Sequence, residues 1–365
     1  MRAAVLEEPG QPLHVDGAVE LLDPGPGEVQ VEISHCGLCH SDVSVMSGQA
    51  PAPMPVVLGH EASGVVREVG PGVTSLAAGD HVLLTPIPSC GRCPACLRGQ
   101  PMACVNATTL LTQTLPDGTT RLRRDGQVVY QGLGVGGFAE QVVVLETGAV
   151  KVPDDVDLGV IAVLGCAVQT GVGAVFNVAR VDPGWSVLVM GLGGIGVAIV
   201  QGARIAGAAR IIVSDPVASR RDMAAGFGAT DAVDPTAEDV VSACHRLTGG
   251  QGVDAAFDAV GSSALVATGV DACRSGGVTV LVGAGPIDDQ LAVSRVMLML
   301  TEKRLAGTLL GSASAHREVP RFLDLYRRGL LDLESMVTMR RPLTEINQAV
   351  ADLTAGRGLR TVLTP

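Results

Sequence analysis

The chain has 365 residues, with 37 acidic against 26 basic side chains and a formal charge of −11, a balance that argues against a nucleic-acid partner. Hydrophobic residues make up 47% of it but aromatic ones only 2%, so its cores must be built from Val, Leu, Ile and Ala, and its length calls for two domains rather than one. Met1 to Leu6 leads into Glu7, Glu8 and Pro9 rather than into a signal peptide, no apolar run reaches the ~18 residues that span a bilayer, and an odd count of nine cysteines suits metal ligation better than disulfides. The expectation is a soluble, cytoplasmic protein with no membrane association.

Residues 1 to about 150 read as short alternating or β-branched segments broken by Pro and Gly, such as Val29-Gln30-Val31-Glu32-Ile33 and Ala62-Ser63-Gly64-Val65-Val66, which predicts a β-rich domain. Within it Cys90, Cys93, Cys96 and Cys104 form a C-x2-C-x2-C-x7-C run, the spacing at which four thiolates close tetrahedrally on zinc. A closed four-sulfur shell leaves no coordination position for a substrate, so this loop, 90–104, is read as structural. The stretch 105–135, with Asp117-Gly118 and Asp125-Gly126, reads as hairpin or loop.

From about residue 185 the rhythm becomes strand, glycine turn, amphipathic helix and strand, repeated to about 284, which predicts a parallel sheet with crossover helices. Ser186-Val187-Leu188-Val189-Met190 reads as a buried strand running into Gly191-Leu192-Gly193-Gly194-Ile195-Gly196, and a second strand, Arg210 to Ser214, ends in Asp215, 19 residues after Gly196. In that setting G-x-G-x-x-G is a dinucleotide-binding turn. Gly191 permits the tight bend, Gly193 lets backbone approach the pyrophosphate, and Gly196 allows close helix–sheet packing, with Gly194 and Ile195 opening the helix toward the phosphates. Asp215 is expected to accept hydrogen bonds from the adenosine ribose and to repel a 2′-phosphate, which favours NAD over NADP. Arg220 is placed near that ribose and Arg221 on the solvated face of the next helix. Leu291 to Leu300 is apolar enough for an interface or a core, and the last fifty residues show helical spacing at Leu323, Leu325, Tyr326 and Leu330, and again at Ile346, Val350 and Leu353, before a terminal Thr361-Val362-Leu363.

A reactive zinc needs three protein ligands and an open position, and the remaining Cys and His residues offer one such constellation: Cys39 in Cys36-Gly37-Leu38-Cys39-His40-Ser41-Asp42, His60 in Gly59-His60-Glu61, and Cys166 in Leu164-Gly165-Cys166. Taken in order with the four-cysteine loop and the dinucleotide turn, these segments resemble the zinc-dependent medium-chain alcohol dehydrogenases over essentially the whole chain. The resemblance is nearest to the long-loop branch that includes liver-type, aryl-alcohol and thiol-dependent formaldehyde dehydrogenases. It implies an α/β architecture: a GroES-like β-rich catalytic domain over 1–158, an NAD-binding Rossmann domain with a doubly wound parallel sheet over 159–308, and a return segment, 309–365, completing the first domain, with the cleft between the two. A homodimer joined near 276–308 is expected.

What the resemblance further implies is two zinc ions per chain: a catalytic one on Cys39, His60 and Cys166, with Asp42 and Glu61 behind it, and a structural one on the four-cysteine loop. A primary alcohol would lose its proton at the catalytic metal, through Ser41, and its hydride to C4 of NAD. Cys36 fits the motif but not the ligand position and reads as a small buried residue. His40 stands where liver-type members put an arginine against the pyrophosphate, Arg360 matches a second phosphate-contacting arginine, and Ser44 replaces the histidine that ends many relatives' proton relay. Pro86 and Gly132 fall where relatives often place aromatic rings over the substrate, which, with the small Ser41, points to a bulky aromatic, allylic or terpenoid alcohol or aldehyde. Two alternatives stand beside this one. A formaldehyde dehydrogenase acting on a thiol adduct would need cations at the pocket mouth, for which Arg121, Arg123 and Arg124 are the candidates. A non-catalytic zinc- and NAD-binding protein would keep the ligands without turnover.

Overall fold

A computed structural model describes residues 1–365. The chain divides into two compact units, one made of Met1–Cys166, Ala313–Asp324 and Leu333–Pro365, the other of Ala167–Ser312 and Leu325–Asp332. The crossing points lie a few residues beyond the expected 158/159 and 308/309, and the return segment is interrupted. Residues 325–332 pack with the second unit because Gln201 fixes them: its Nε2 donates to Asp332 O (3.0 Å) and its Oε1 accepts from Asp332 N (2.7 Å), while Arg204 donates to Leu330 O.

The first unit is β-rich, as its alternating segments predict. In Glu28–Gly37, Val29, Val31 and Ile33 are buried while Gln30 and Glu32 are half-exposed, the period of two that drives one sheet face into a core. This strand is central to a seven-stranded sheet and has Glu61–Val69 on one side and the terminal strand Arg360–Thr364 on the other. Register brings Gly37 opposite both Glu61 and Val362. A six-stranded sheet runs from His14–Asp16 through Ala3–Leu6, Val56–Val57, Gln127–Gln131 and Leu122–Arg124 to Glu20–Leu21. The 105–135 stretch is a run of short helical turns followed by a hairpin, Leu122–Arg124 with Gln127–Gln131. Its turn residues Asp125 and Gly126 both have positive φ (51° and 74°), as a two-residue hairpin of the twist-matched kind requires.

The second unit is an all-parallel sheet in the spatial order Asp231–Val233, Arg210–Ser214, Ser186–Met190, Val253–Asp258, Cys273–Leu281, Arg304–Gly307. Numbered along the chain this is 3-2-1-4-5-6, the doubly wound dinucleotide-binding topology whose strand order reverses beside the first strand. Ser186–Met190 is therefore the innermost strand, and the turn that follows it lies at the switch point. The apolar stretch at 291–300 is not core: in the short helix Arg295–Thr301, Met297, Met299 and Leu300 are exposed by 55%, 69% and 68%. No single helix in the chain is long and apolar enough to cross a membrane.

Candidate metal centres and dinucleotide turn

Three separate pieces of the first unit converge on one buried cluster. Cys39 caps the helix His40–Met46, whose third residue, Asp42, accepts from the Cys39 N–H (3.0 Å) and so closes the helix start on itself. Asp42 also accepts from Gly59 N (3.0 Å) and lies 3.1 Å from His60 Nδ1, which ties the segment before Glu61–Val69 to that helix. Cys166 ends the turn Ala162–Gly165, and Gly165 is required there because a Cβ would stand 2.9 Å from Leu84 O. One ligand atom each from Cys39, His60, Glu61 and Cys166 lies within 4.8 Å of the others, and all four residues are buried. With Nδ1 held by a carboxylate, the His60 nitrogen left for a metal is Nε2, the arrangement that orients histidine ligands and raises their basicity.

The electrostatics suit a cation. A hydrogen bond from the Cys166 thiol holds Cys39 well below its usual value against the cost of burial, with Arg360 and His60 adding to the effect. Cys166, which supplies that proton and is itself buried, is pushed well up. Burial would keep His60 neutral, but the Asp42 carboxylate and Cys39 outweigh it and raise His60. Burial lifts Glu61 to about 7 despite Arg360. Two thiols, an imidazole and a carboxylate gathered without bulk water form a donor set that zinc fits.

Arg360, which the resemblance expects at a cofactor phosphate, has its guanidinium 3.1 Å from Glu61 Oε1, 3.4 Å from Leu38 O and 3.9 Å from Cys39 Sγ, and the residue is 3% exposed. The buried Glu61–Arg360 pair is the functional feature that sequence reasoning missed. Its signal was available only through register, since Arg360 opens the strand that pairs with Cys36 and Gly37. Ser41 Oγ lies 3.8 Å from Cys39 Sγ, Ser44 donates to His40 O (3.1 Å), and His40 is exposed at the helix start. Cys36 is fully buried and not among the clustered ligands.

At Gly132 a Cβ would stand 2.6 Å from Val57 O and 2.7 Å from a Leu58 methyl, so glycine is required there by a close backbone approach. Pro86 is buried, its carbonyl accepting from Thr109 Oγ1.

The second cluster is local. Cys90, Cys93, Cys96 and Cys104 bring their sulfurs within 4.8 Å of one another. Backbone N–H groups point at the sulfurs: Cys93 N to Cys90 Sγ and Cys90 N to Cys104 Sγ at 3.3 Å, Asn106 N to Cys104 Sγ at 3.4 Å. The amides of Cys96 and Val105 hold the Cys93 thiol down to about 6. Amides aimed at sulfur stabilise thiolate, the form a metal binds, so this loop also fits zinc.

In the second unit Gly191 has φ +88°, a conformation open to glycine, and a Cβ on it would strike Val260. A Cβ on Gly196 would collide with Gly191 O, so the helix Gly194–Ile205 can leave the turn only with glycine there. Around Gly193 nothing lies within 4 Å of where a Cβ would be, open space of the kind a pyrophosphate needs. Asp215 ends its strand 2% exposed, with Oδ2 accepting from Leu192 N and Oδ1 from Val217 N, both at 2.8 Å. Arg220 reaches within 3.7 Å of that carboxylate, while Arg221 bonds Asp215 O and Asp234. Turn, open space and fixed acid together fit a dinucleotide.

Comparison with known proteins agrees with this geometry. Residues 25–154 match the model of the alcohol dehydrogenase GroES-like domain and residues 194–328 that of zinc-binding dehydrogenases. The chain is 37% identical over 367 residues to S-(hydroxymethyl)glutathione dehydrogenase of Synechocystis sp., covering 99% of both chains. It superposes on an alcohol dehydrogenase zinc-binding domain protein from Burkholderia ambifaria with a TM-score of 0.94 at 36% identity, covering 100% of this chain and 98% of that one. Benzyl alcohol dehydrogenase from Acinetobacter calcoaceticus superposes with a TM-score of 0.93 at 32% identity over the same shares. Two mixed-ligand and four-thiol centres in a GroES-like unit, joined to a doubly wound dinucleotide unit and matched along its full length, make this chain a member of the zinc-dependent medium-chain alcohol dehydrogenase family.

Proposed function

We propose that the chain oxidises bulky primary alcohols, aromatic or allylic, with NAD, and reduces the matching aldehydes. The observation that carries this choice over the thiol-adduct alternative is the state of the loop arginines. Arg121 is spent on Glu28 (2.5 and 2.9 Å), Arg124 on Glu7 and Asp16, and Arg123 on the carbonyls of Thr120 and Leu122, so none stands ready for the carboxylates of a peptide thiol. The likeness to benzyl alcohol dehydrogenase supports the same reading, whereas the likeness to S-(hydroxymethyl)glutathione dehydrogenase is what the alternative rests on.

Cys39, His60 and Cys166 would hold one zinc and the four-cysteine loop a second, two per chain. The first supplies Lewis acidity at an alcohol oxygen, and NAD is the hydride acceptor. Ser41 Oγ is the chain's own group for taking the alcohol proton, and Ser44, whose hydroxyl donates to His40 O, can take part in a relay only by turning its O–H from that carbonyl to an outward acceptor such as water. Asp42 fixes the His60 ring, and Glu61 with Arg360 sets the charge behind the metal ligands. Asp215 selects NAD by offering a carboxylate where NADP would bring a phosphate. The exposed Met297, Met299 and Leu300, next to the open edge of the strand Arg304–Gly307, support a homodimer joined through the second unit.

The test is NADH formation across ethanol, benzyl, cinnamyl and geranyl alcohols, with formaldehyde plus glutathione as a separate arm. Turnover greatest with the aryl and allylic alcohols and lost on zinc chelation is the expected result. Turnover confined to the glutathione arm would replace this reading with the thiol-adduct one.

A further inference from the structure

The second unit contains a cavity of about 510 Å³ that belongs to none of the sites above, lined by Asn177, Arg180, Asp182, Trp185, Arg304 and Ser312 together with Val178 and Ala179. Trp185 and Arg304 immediately precede or open their strands, Ser186–Met190 and Arg304–Gly307, so the cavity lies at the amino end of the parallel sheet. The Gly191 turn follows the carboxyl end of Ser186–Met190, about 17 Å away along a five-residue strand. The cavity and the dinucleotide turn are thus at opposite ends of one strand.

Its lining is unusual for this chain. Trp185 is the only tryptophan among 365 residues, of which 2% are aromatic. Most arginines here sit against carboxylates, as Arg210 does on Asp231 and Arg274 on Asp254. Arg180 and Arg304 have no ion pair or hydrogen bond from their guanidinium groups, although the chain as a whole is acidic. Asp182 offsets one of these charges, and one positive charge remains.

The backbone around the cavity is also held in costly conformations. The helix Ala167–Ala179 loosens into a π-helix over Ala174–Ala179 and ends on Arg180 in the left-handed region, φ +55°. Across the cavity, Leu310, Gly311 and Ser312 all have positive φ (46°, 66° and 58°), a run pinned by Gln169 donating to Leu310 O and Asn177 to Gly311 O. Left-handed non-glycine residues are unfavourable and, like π-turns, gather where a binding surface must be shaped.

We propose that this cavity binds a small planar aromatic anion, with the Trp185 indole against the ring and the Arg180 and Arg304 forks on its carboxylate or phosphate. Guanidinium groups match either anion in bidentate fashion, an indole face takes a ring, and the volume falls within the about 300–1,000 Å³ usual for small-molecule sites. Such an anion could be an aryl carboxylate or a nucleoside monophosphate, and the two share this chemistry.

Because Trp185 is the sole tryptophan, its fluorescence reports on the cavity alone. The zinc-loaded protein saturated with NAD is titrated with benzoate, AMP, inorganic phosphate and benzyl alcohol in separate arms. Saturable quenching by benzoate or AMP, at concentrations where phosphate and benzyl alcohol leave the signal unchanged, is expected, and the stronger of the two identifies the source. The double variant Arg180→Gln/Arg304→Gln should weaken that binding by at least about tenfold. The single variant Arg304→Gln, judged folded by an unchanged melting temperature, should give an intermediate loss. Cys39→Ala should bind as the parent does, which separates this site from an anion at the catalytic metal. Quenching that rises linearly without saturation, affinity unchanged in the double variant, or silence in every arm because a second copy closes the cavity would each overturn the proposal.

Discussion

The two clusters of metal-binding residues differ in how they are built. The four-cysteine loop takes all its ligands from 15 consecutive residues, and the groups that tune its sulfurs are backbone amides of that stretch and of Val105 and Asn106 directly after it. The mixed centre takes Cys39, His60 and Cys166 from three distant segments, and the groups that tune it are side chains, Asp42, Glu61 and Arg360, the last from the terminal strand. Cys90 and Cys96 are partly exposed, whereas every ligand of the mixed centre is buried. A loop that only has to be held together can rely on amides that any residue carries. A centre that has to present reactive chemistry needs side chains whose positions are set by packing, and it is shielded from water by the cores around it.

The largest expected contrast follows from single ligand losses. Cys39→Ala should abolish alcohol turnover while its melting curve and NAD binding, followed by calorimetry, stay close to those of the parent. Cys93→Ala should instead cost more than about 4 kcal/mol of stability, since the loop loses the ion that closes it, with residual activity scaling with the folded fraction. Wild-type turnover in Cys39→Ala would remove the catalytic assignment. Equal melting curves for the two variants would erase the distinction between the clusters.

Next in size is the buried ion pair. Arg360→Met leaves the Glu61 carboxylate without its partner, and breaking a buried pair in this way costs roughly 3–5 kcal/mol. Adding Glu61→Gln to that variant should restore part of the loss, which a urea titration of the single and double variants would measure. If the double variant is no more stable than the single one, the pair does not hold the mixed centre in the way its geometry implies.

The smallest effect belongs to neither centre and serves as their control. The Arg124 hydrogen bond holds Glu7 below its usual 4.5, and the Ala18 amide followed by Arg124 lowers Asp16 below 3.8. Carboxylates lowered in the folded state stabilise it fully above those ordinary values and lose that contribution as pH falls through the lowered ones. The side chains are partly exposed, so the amount is about 0.5 kcal/mol. Arg124→Gln should therefore lower the melting temperature slightly near neutrality and converge on the parent in acid, so that its fall below about pH 4.5 is shallower. A variant whose acid limb matches the parent would show that these carboxylates do not contribute to it.

The features the sequence carried by itself are those written in short stretches. A four-thiol loop needs only its spacing, a dinucleotide turn needs glycines between a strand and a helix, and the alternation at Val29, Val31 and Ile33 needs only a sheet with one buried face. Cys39, His60 and Cys166 could be singled out because cysteine and histidine are rare in this chain and each stands in a recognisable segment, and the fold gathers the three in one buried cluster. Other features were decided by tertiary structure, since they depend on which distant residues share a register or a surface. Arg360 lies against Glu61 because the terminal strand pairs with Cys36 and Gly37, and no local pattern specifies that pairing. Gly132 is required by the nearness of the Val57 backbone, a close approach created by strand pairing between Val56–Val57 and Gln127–Gln131. The excursion of 325–332 into the second unit rests on Gln201 and Arg204, and the cavity beside Trp185 on the strained turn Leu310–Ser312, remote in the chain. Local spacing can encode a ligand set or a turn, whereas contacts between remote segments exist only once both sheets have chosen their neighbours.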